Sequence, residues 1–259
     1  MRNQWCTAMV VLVAMALMTG CANWPDESLT TEHTPHWSYT GESGPAYWGD
    51  LAPEYALCAN GTAQTPIDII PTANEALANP EVRYRAGEVS IVNNGHTIQA
   101  NAAAGSAVVV NGVEYGLAQM HFHAPSEHMI NGQRALAEVH FVHKAADGSL
   151  TVIGALVQMG NQENEAWAPF VAALHTVEGA TTTTTLDWAA LLPNDLMTYR
   201  YRGSLTTPPC TEGVNWLVLQ TPVVLSDTQL AAFTAAYNGN ARPIQDDADR
   251  DVMLDTSDS

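Results

Sequence analysis

Two short stretches hold the residue types that can do chemistry. Residues 119–128 read QMHFHAPSEH, and residues 137–143 read AEVHFVH. In a β-strand, residues i and i+2 share a face. His121 and His123 therefore point one way and Phe122 the other. On the second stretch His140 shares a face with Glu138 and Val142, and His143 faces away. Three imidazoles and one open position form the ligand set of catalytic zinc, whereas a structural site closes the fourth position with protein. A ligating ring must also donate its second N–H. Gln119 lies two residues before His121, and Glu138 two before His140, so both are placed to accept. A His-x-His pair alone is weak, and a surface pair without metal is the ordinary alternative.

Strands are needed to present these side chains, and the chain supplies them. EVSIVNNG and HTIQANAA predict two strands joined at Asn94-Gly95, a turn dipeptide. SAVVVNGVEYGLAQMHFHA predicts a short strand, an Asn111-Gly112 turn and a longer strand. RALAEVHFVHKAADGSLTVIGALVQMG predicts a hairpin around Asp147-Gly148. A short strand is expected near 67–70, and WLVLQTPVVLS supplies late strands. Threonines 181–185 read as surface strand or loop. Apolar spacing of three and four predicts a helix over 164–177. A second helix is expected over 225–238, with Ser226 as N-cap. Residues 23–60 have little periodicity and four prolines, and read as an irregular arm pinned by Trp37, Tyr39 and Trp48. No repeat or Gly/Pro/Ser-rich linker divides the chain. The expectation is one mainly β domain over 23–247 with short peripheral helices. The acidic tail 248–259 is expected to be disordered.

Composition excludes several function classes. The 259 residues carry 27 acidic and 9 basic side chains, a formal charge of -18. No basic footprint for nucleic acid exists. An anionic lipid surface is a poor electrostatic partner for the same reason.

The first residues follow a secretory pattern: Arg2, an apolar run from Met9 to Met18, then small residues. Residues 1–22 are read as a signal peptide. Two processing readings stay open, cleavage after Ala22 or lipidation of Cys21. Membrane contact is expected only if Cys21 is lipidated, as in an outer-membrane lipoprotein; otherwise the chain is periplasmic or extracellular. Cys6 leaves with the signal, and Cys21 is removed or lipidated. Cys58 and Cys210 remain in an oxidising compartment, so a disulfide between them is the simplest pairing.

The chain resembles an α-class carbonic anhydrase of the secreted bacterial type. The motifs HWSY, CANGTAQTPIDI, VNNGHTIQ, QMHFHAPSEH, AEVHFVH, YRYRGSLTTPPCTEGVNW and NARPIQ carry the resemblance, in family order, over roughly residues 36–245. It implies a large, twisted, mainly antiparallel sheet of about ten strands. It implies reversible hydration of CO2 to bicarbonate and a proton by zinc-bound hydroxide. His121, His123 and His140 match the Zn(2+) ligands, and Gln119 and Glu138 the acceptors of their ring N–H groups. Thr206 matches the threonine that takes the hydroxide proton, Glu127 the carboxylate behind it, and Thr207 a water-binding neighbour. His96 matches a proton shuttle, a role suited to a side chain that titrates near neutrality. Val142, Val152, Leu205, Val214 and Trp216 match the apolar wall that receives CO2. Tyr39 and Asn94 match positions that hold ordered water, and Arg242 a structural one. Cys58 and Cys210 match a family disulfide. His128 and His143 look structural, and His36 and His175 need no special role. Oligomeric state stays open, with a homodimer as one option. The rival reading is a non-catalytic exported binding domain on the same scaffold, which would have no need of all of His121, His123, His140, Thr206, Glu127 and His96.

Overall fold

A computed structural model describes residues 35–257. The expected signal segment and both of its processing sites lie outside the described residues. The described chain is mainly β, built on a mixed sheet of 13 strands with a separate three-stranded sheet beside it. The pairing is more mixed than expected. The strand Leu150–Gly160 runs parallel to both Glu212–Leu219 and Val223–Ser226, and Ala73–Glu75 runs parallel to Met253–Asp255.

The centre of the large sheet is Ile98–Asn101, Val113–His123, Ala137–Lys144 and Leu150–Gly160, side by side. Strand Val113–His123 changes parity along its length. Tyr115 and Leu117 face the main apolar core, and so do Met120 and Phe122. Odd positions face the core at one end and even positions at the other. Pairing explains the switch. Val142 is opposite Gln119 and His143 is opposite Leu117, so Ala118 is the extra residue of a β-bulge. Without it, His121 and His123 would be on the core face, because a one-residue slip inverts every side chain. The bulge lets one long strand pack the core and still turn its histidines outward.

Turn chemistry follows the sequence. Asn111 and Gly112 have φ of 50° and 80°, the left-handed pair of a tight hairpin turn. The predicted helix 225–238 is found as Asp227–Ala236. The Ser226 side chain accepts from the Gln229 backbone, and Gln229 reciprocates to the Ser226 backbone, a complete capping box. The helix expected over 164–177 is shorter, only Ala168–Ala173. Pro169 sets that limit. It has no N–H and its ring excludes a helical turn before it, so it fits only the first turn. Residues 164–168 instead make tighter turns, Trp167 N–H to Asn164 O and Ala168 N–H to Glu165 O. Trp167, Phe170 and Leu174 still bury as the periodicity requires.

The expectation of a disordered tail over 248–259 is corrected for the residues described. Met253–Asp255 pairs with Thr198–Ser204 and with Ala73–Glu75. Val252 is buried against Ile67, Ile69 and Tyr201 in a second apolar cluster. Asp255 is buried and accepts N–H groups from Leu77 and Ser257. Arg250 donates to the carbonyls of Gln64, Arg202, Asp246 and Asp247. High acidic content hid a short apolar run that had a core to join.

Candidate metal centre

Lateral pairing builds the centre row by row. On the outward face, His121 is directly opposite His140, His123 opposite Glu138, and Gln119 opposite Val142. One strand further, His140 is opposite Gly154 and Val142 opposite Val152. A side chain at Gly154 would meet Glu138 Oε1 at 3.1 Å and the Trp216 ring at 3.5 Å. A larger residue there would push into the carboxylate that supports His140.

Each of the three rings has one nitrogen engaged. The Nδ1–H of His121 donates to Gln119 Oε1 at 2.8 Å, and the Nε2–H of His140 donates to Glu138 Oε1 at 2.8 Å. Both acceptors were expected from strand-face geometry. The third was not: His123 Nδ1–H donates to the backbone carbonyl of Asn240 at 2.6 Å. Asn240 also donates its amide to the carbonyls of His96 and Phe122, and accepts from the Ala124 N–H. It opens the NARPIQ motif, but a carbonyl acceptor leaves no mark on side-chain type. The nitrogens left over are His121 Nε2, His123 Nε2 and His140 Nδ1, and the ligand atoms of the three residues lie within 4.8 Å of one another.

Electrostatics keep these rings neutral, the form that binds metal. Burial lowers all three, His121 well below its ordinary value and His123 to about 4. Neighbouring histidines add to the lowering of His121 and His140. Burial raises the Glu138 carboxyl, but His128 and His140 outweigh it and hold the group well below its usual range. Glu138 accepts four hydrogen bonds: from both rings and from the backbone N–H groups of Glu127 and His128. His128 continues outward to the Tyr201 hydroxyl at 2.6 Å, and that hydroxyl meets Thr65 Oγ1 at 3.2 Å. The structural role expected for His128 is thus a specific one, propping the carboxylate that props His140.

Two buried polar atoms beside the rings have no hydrogen-bond partner among the described residues, His123 Nε2 and Glu127 Oε2, 3.4 Å apart. Orphaned buried groups are rare and costly. An unpaired imidazole nitrogen aimed into a cluster of three fits a metal ligand. Glu127 Oε1 is occupied by the Arg242 N–H at 2.8 Å. Burial pushes the Glu127 carboxyl up to about 7, against the pull of His140, the Arg242 N–H and the nearby Thr206 hydroxyl. Thr206 is itself buried.

The residues expected to form the apolar wall lie in one contiguous cluster. Val152, Val214 and Trp216 are buried together, with Val142 and Leu205 packed against them. Val152 is opposite Trp216 across the parallel pair, and the Trp216 ring stands 4.9 Å from that of His140. Its Nε1–H is spent on the Ser204 carbonyl, so the indole presents carbon to the site. The loop with Leu205, Thr206 and Thr207 is closed by Leu205 N–H to Thr211 O and Cys210 N–H to Thr207 O. Cys210 is bonded to Cys58. That disulfide and the Gln64 amide, which donates to Cys210 O and Glu212, tie the loop to the N-terminal segment. Arg242 is buried and donates to Cys58 O, Gln64 Oε1 and Thr65 O.

His96 stands apart, half-buried on the turn before Ile98–Asn101. Its ring lies flat on Trp37, centroids 3.6 Å apart and planes 6° from parallel. Trp37 packs edge-on to Tyr39 and Trp48, the anchors expected for the arm. Tyr39 is raised by burial and by Glu127. The Oδ1 of Asn94 accepts from the His96 and Thr97 N–H groups and so closes the turn. Gln99 was missed in the sequence. It is opposite His121 on the next strand and donates to Asn101 Oδ1, and only strand pairing reveals it.

Residues 43–255 match the family model for eukaryotic-type carbonic anhydrase. The chain belongs to the α-class carbonic anhydrase family. It is 41% identical over 222 residues to a carbonic anhydrase of Pectobacterium carotovorum, covering 84% of this chain and 90% of that one. Among solved structures it is similar to the α-carbonic anhydrase of Thermovibrio ammonificans in complex with the inhibitor sulfanilamide. There the TM-score is 0.81 and the identity 41%, covering 85% of this chain and 99% of the other. It is also similar to dioscorin complexed with ascorbate, with a TM-score of 0.79, 30% identity, and 86% of this chain and 100% of that chain covered. The family therefore accommodates a protein known by another name on the same fold, and the site residues must carry the functional argument.

Proposed function

We propose that this chain is an exported zinc enzyme that interconverts CO2 and bicarbonate, with His121, His123 and His140 holding the metal. The observation that carries the reading is the set of free imidazole nitrogens beside an orphaned Glu127 oxygen and an apolar wall. Bound there, zinc makes water a nucleophile near neutral pH. The protein does the rest by positioning. Gln119, Glu138 and the Asn240 carbonyl fix the three rings. Thr206 donates to the Glu127 carboxylate and accepts from the attacking water, which sets the direction of its lone pair. Val142, Val152, Leu205, Val214 and Trp216 receive a substrate with little hydrogen-bonding capacity. Thr207, Tyr39 and Asn94 hold water between this wall and the rim, and His96 takes the product proton from that water to solvent. Export to the periplasm or outside the cell accords with the Cys58–Cys210 disulfide, and residues 1–22 are the proposed signal. The test is elemental analysis of folded, desalted protein together with stopped-flow CO2 hydration. One zinc per chain and hydration abolished by chelation are expected. Folded protein that takes up no zinc would overturn the reading.

A further inference from the structure

The turn that carries His96 is clamped by a second segment, and the clamp brings a carboxylate to it. Asn93 is the pivot. Its carbonyl accepts the Gly179 N–H at 2.9 Å, and its N–H donates to Ala180 O at 3.3 Å. Its amide donates to Thr176 O at 2.8 Å, and the Tyr237 hydroxyl donates to its Oδ1 at 2.5 Å. Residues 176–180 are thereby fixed against residues 93–96. Glu178 is exposed, and its carboxylate lies over Gly95: a Cβ at Gly95 would be 3.1 Å from Glu178 Oε1. Gly95 has φ of 85°, the left-handed conformation that favours glycine in this turn.

Two titratable groups act on the His96 ring from the packed elements, and a third stands behind its turn. His36 comes from the N-terminal arm, with ring centroids 6.4 Å apart. Glu178 comes from the clamped segment. The Tyr237 hydroxyl, just past the helix Asp227–Ala236, reaches Asn93 behind the turn. Burial against the arm and the His36 charge both disfavour the imidazolium, and Glu178 alone opposes them.

We propose that Glu178 is a positioning residue for proton transfer, a carboxylate brought beside His96 by its clamped backbone so that the rim stabilises the protonated shuttle. The inference rests on His96 being the proton carrier. A carrier must accept the product proton before handing it to buffer, and a half-buried ring facing His36 accepts it less readily unless a nearby negative charge offsets the desolvation.

The test uses the zinc-loaded protein and the variants Glu178→Gln and Glu178→Lys, both at an exposed position. The His96 titration midpoint is followed by NMR at low ionic strength. It should fall in Glu178→Gln and fall about twice as far in Glu178→Lys, since the charge change doubles. Both shifts should shrink in 1 M salt, where the screening length is about 3 Å. Turnover in weak buffer should fall in the same order, with kcat/KM for CO2 unmoved. A merely structural Glu178 would not sort Gln from Lys by charge. Midpoints equal to the parent protein's in both variants would overturn the proposal. If the midpoints shift but His96→Ala leaves the buffer dependence of turnover unaltered, it is the shuttle reading that fails instead.

Discussion

The sheet-borne histidines and the turn-borne histidine are the same side chain under opposite demands. His121, His123 and His140 are held by strand register, each with one nitrogen tied to a fixed acceptor. His96 is on a glycine turn, half-buried, with a flat aromatic surface beneath it. As the proposed ligands, these three must stay neutral and still, and burial with fixed acceptors favours both properties. As the proposed carrier, His96 must change charge and meet water, and its half-buried place at the rim allows both. Burial lowers His96 as well, but a carboxylate is placed to oppose it. Residue type alone would not separate the two proposed roles. The surrounding hydrogen bonds do.

The sharpest break of this contrast is His140→Ala. It removes a nitrogen that nothing else in the row can replace. Zinc content of desalted protein should fall toward zero, and CO2 hydration by more than about 100-fold, beyond the 10–100-fold typical of losing a supporting partner. Retained zinc would mean that the ligand set is misassigned. Next in size is Thr206→Ala, which touches the chemistry without touching the metal ligands. Turnover should fall about 100-fold, in the range of a lost proton-positioning group, while elemental analysis still gives one zinc per chain.

His143 supplies a control within the same strand. It faces the core, bonds the Tyr84 hydroxyl at 2.6 Å and is lowered to about 4 by burial. The folded state resists its protonation, whereas the unfolded chain takes the proton near the ordinary pKa of about 6.5. Its contribution to stability is therefore complete above about 6.5 and is lost as pH falls toward 4. Chemical denaturation across that window should show a shallower acid limb in His143→Gln than in the parent protein, with no loss of zinc at neutral pH. An unchanged limb would show that the ring titrates normally despite its burial.

Much of this was legible in the sequence because strands and tight turns have short-range rules. His-x-His, the Glu and Gln two residues earlier, Asn111-Gly112 and the Ser226 cap were all read from spacing. The missing parts depend on long-range pairing. The Ala118 bulge lies in an ordinary alternating stretch and appears only when Val142 and His143 are aligned against it. The Asn240 carbonyl is a backbone group 117 residues from the ring it supports. The last strand was lost because charge density outweighed Val252 to Leu254, and those residues order only because a sheet edge awaits them.

The smallest effect expected is also the one that separates the two classes of histidine most cleanly. His96→Ala removes a carrier, not a ligand. Zinc content and kcat/KM for CO2 should match the parent protein, because the three ring acceptors and the apolar wall are untouched. Turnover in weak buffer should fall by about tenfold, the lower end of general acid–base contributions. Added imidazole should restore most of it, since a diffusing base can do what a tethered one did. The loss should vanish in strong buffer. The ring also packs on Trp37, and deleting it could loosen the arm through Tyr39 and Trp48. A packing role predicts a different pattern: a lower melting temperature, with turnover per folded molecule independent of buffer. Turnover measured against buffer concentration, beside a thermal melt, decides between them. Overlapping buffer curves for the two proteins would leave His96 as a stacking residue, and proton exit from this site would need another route.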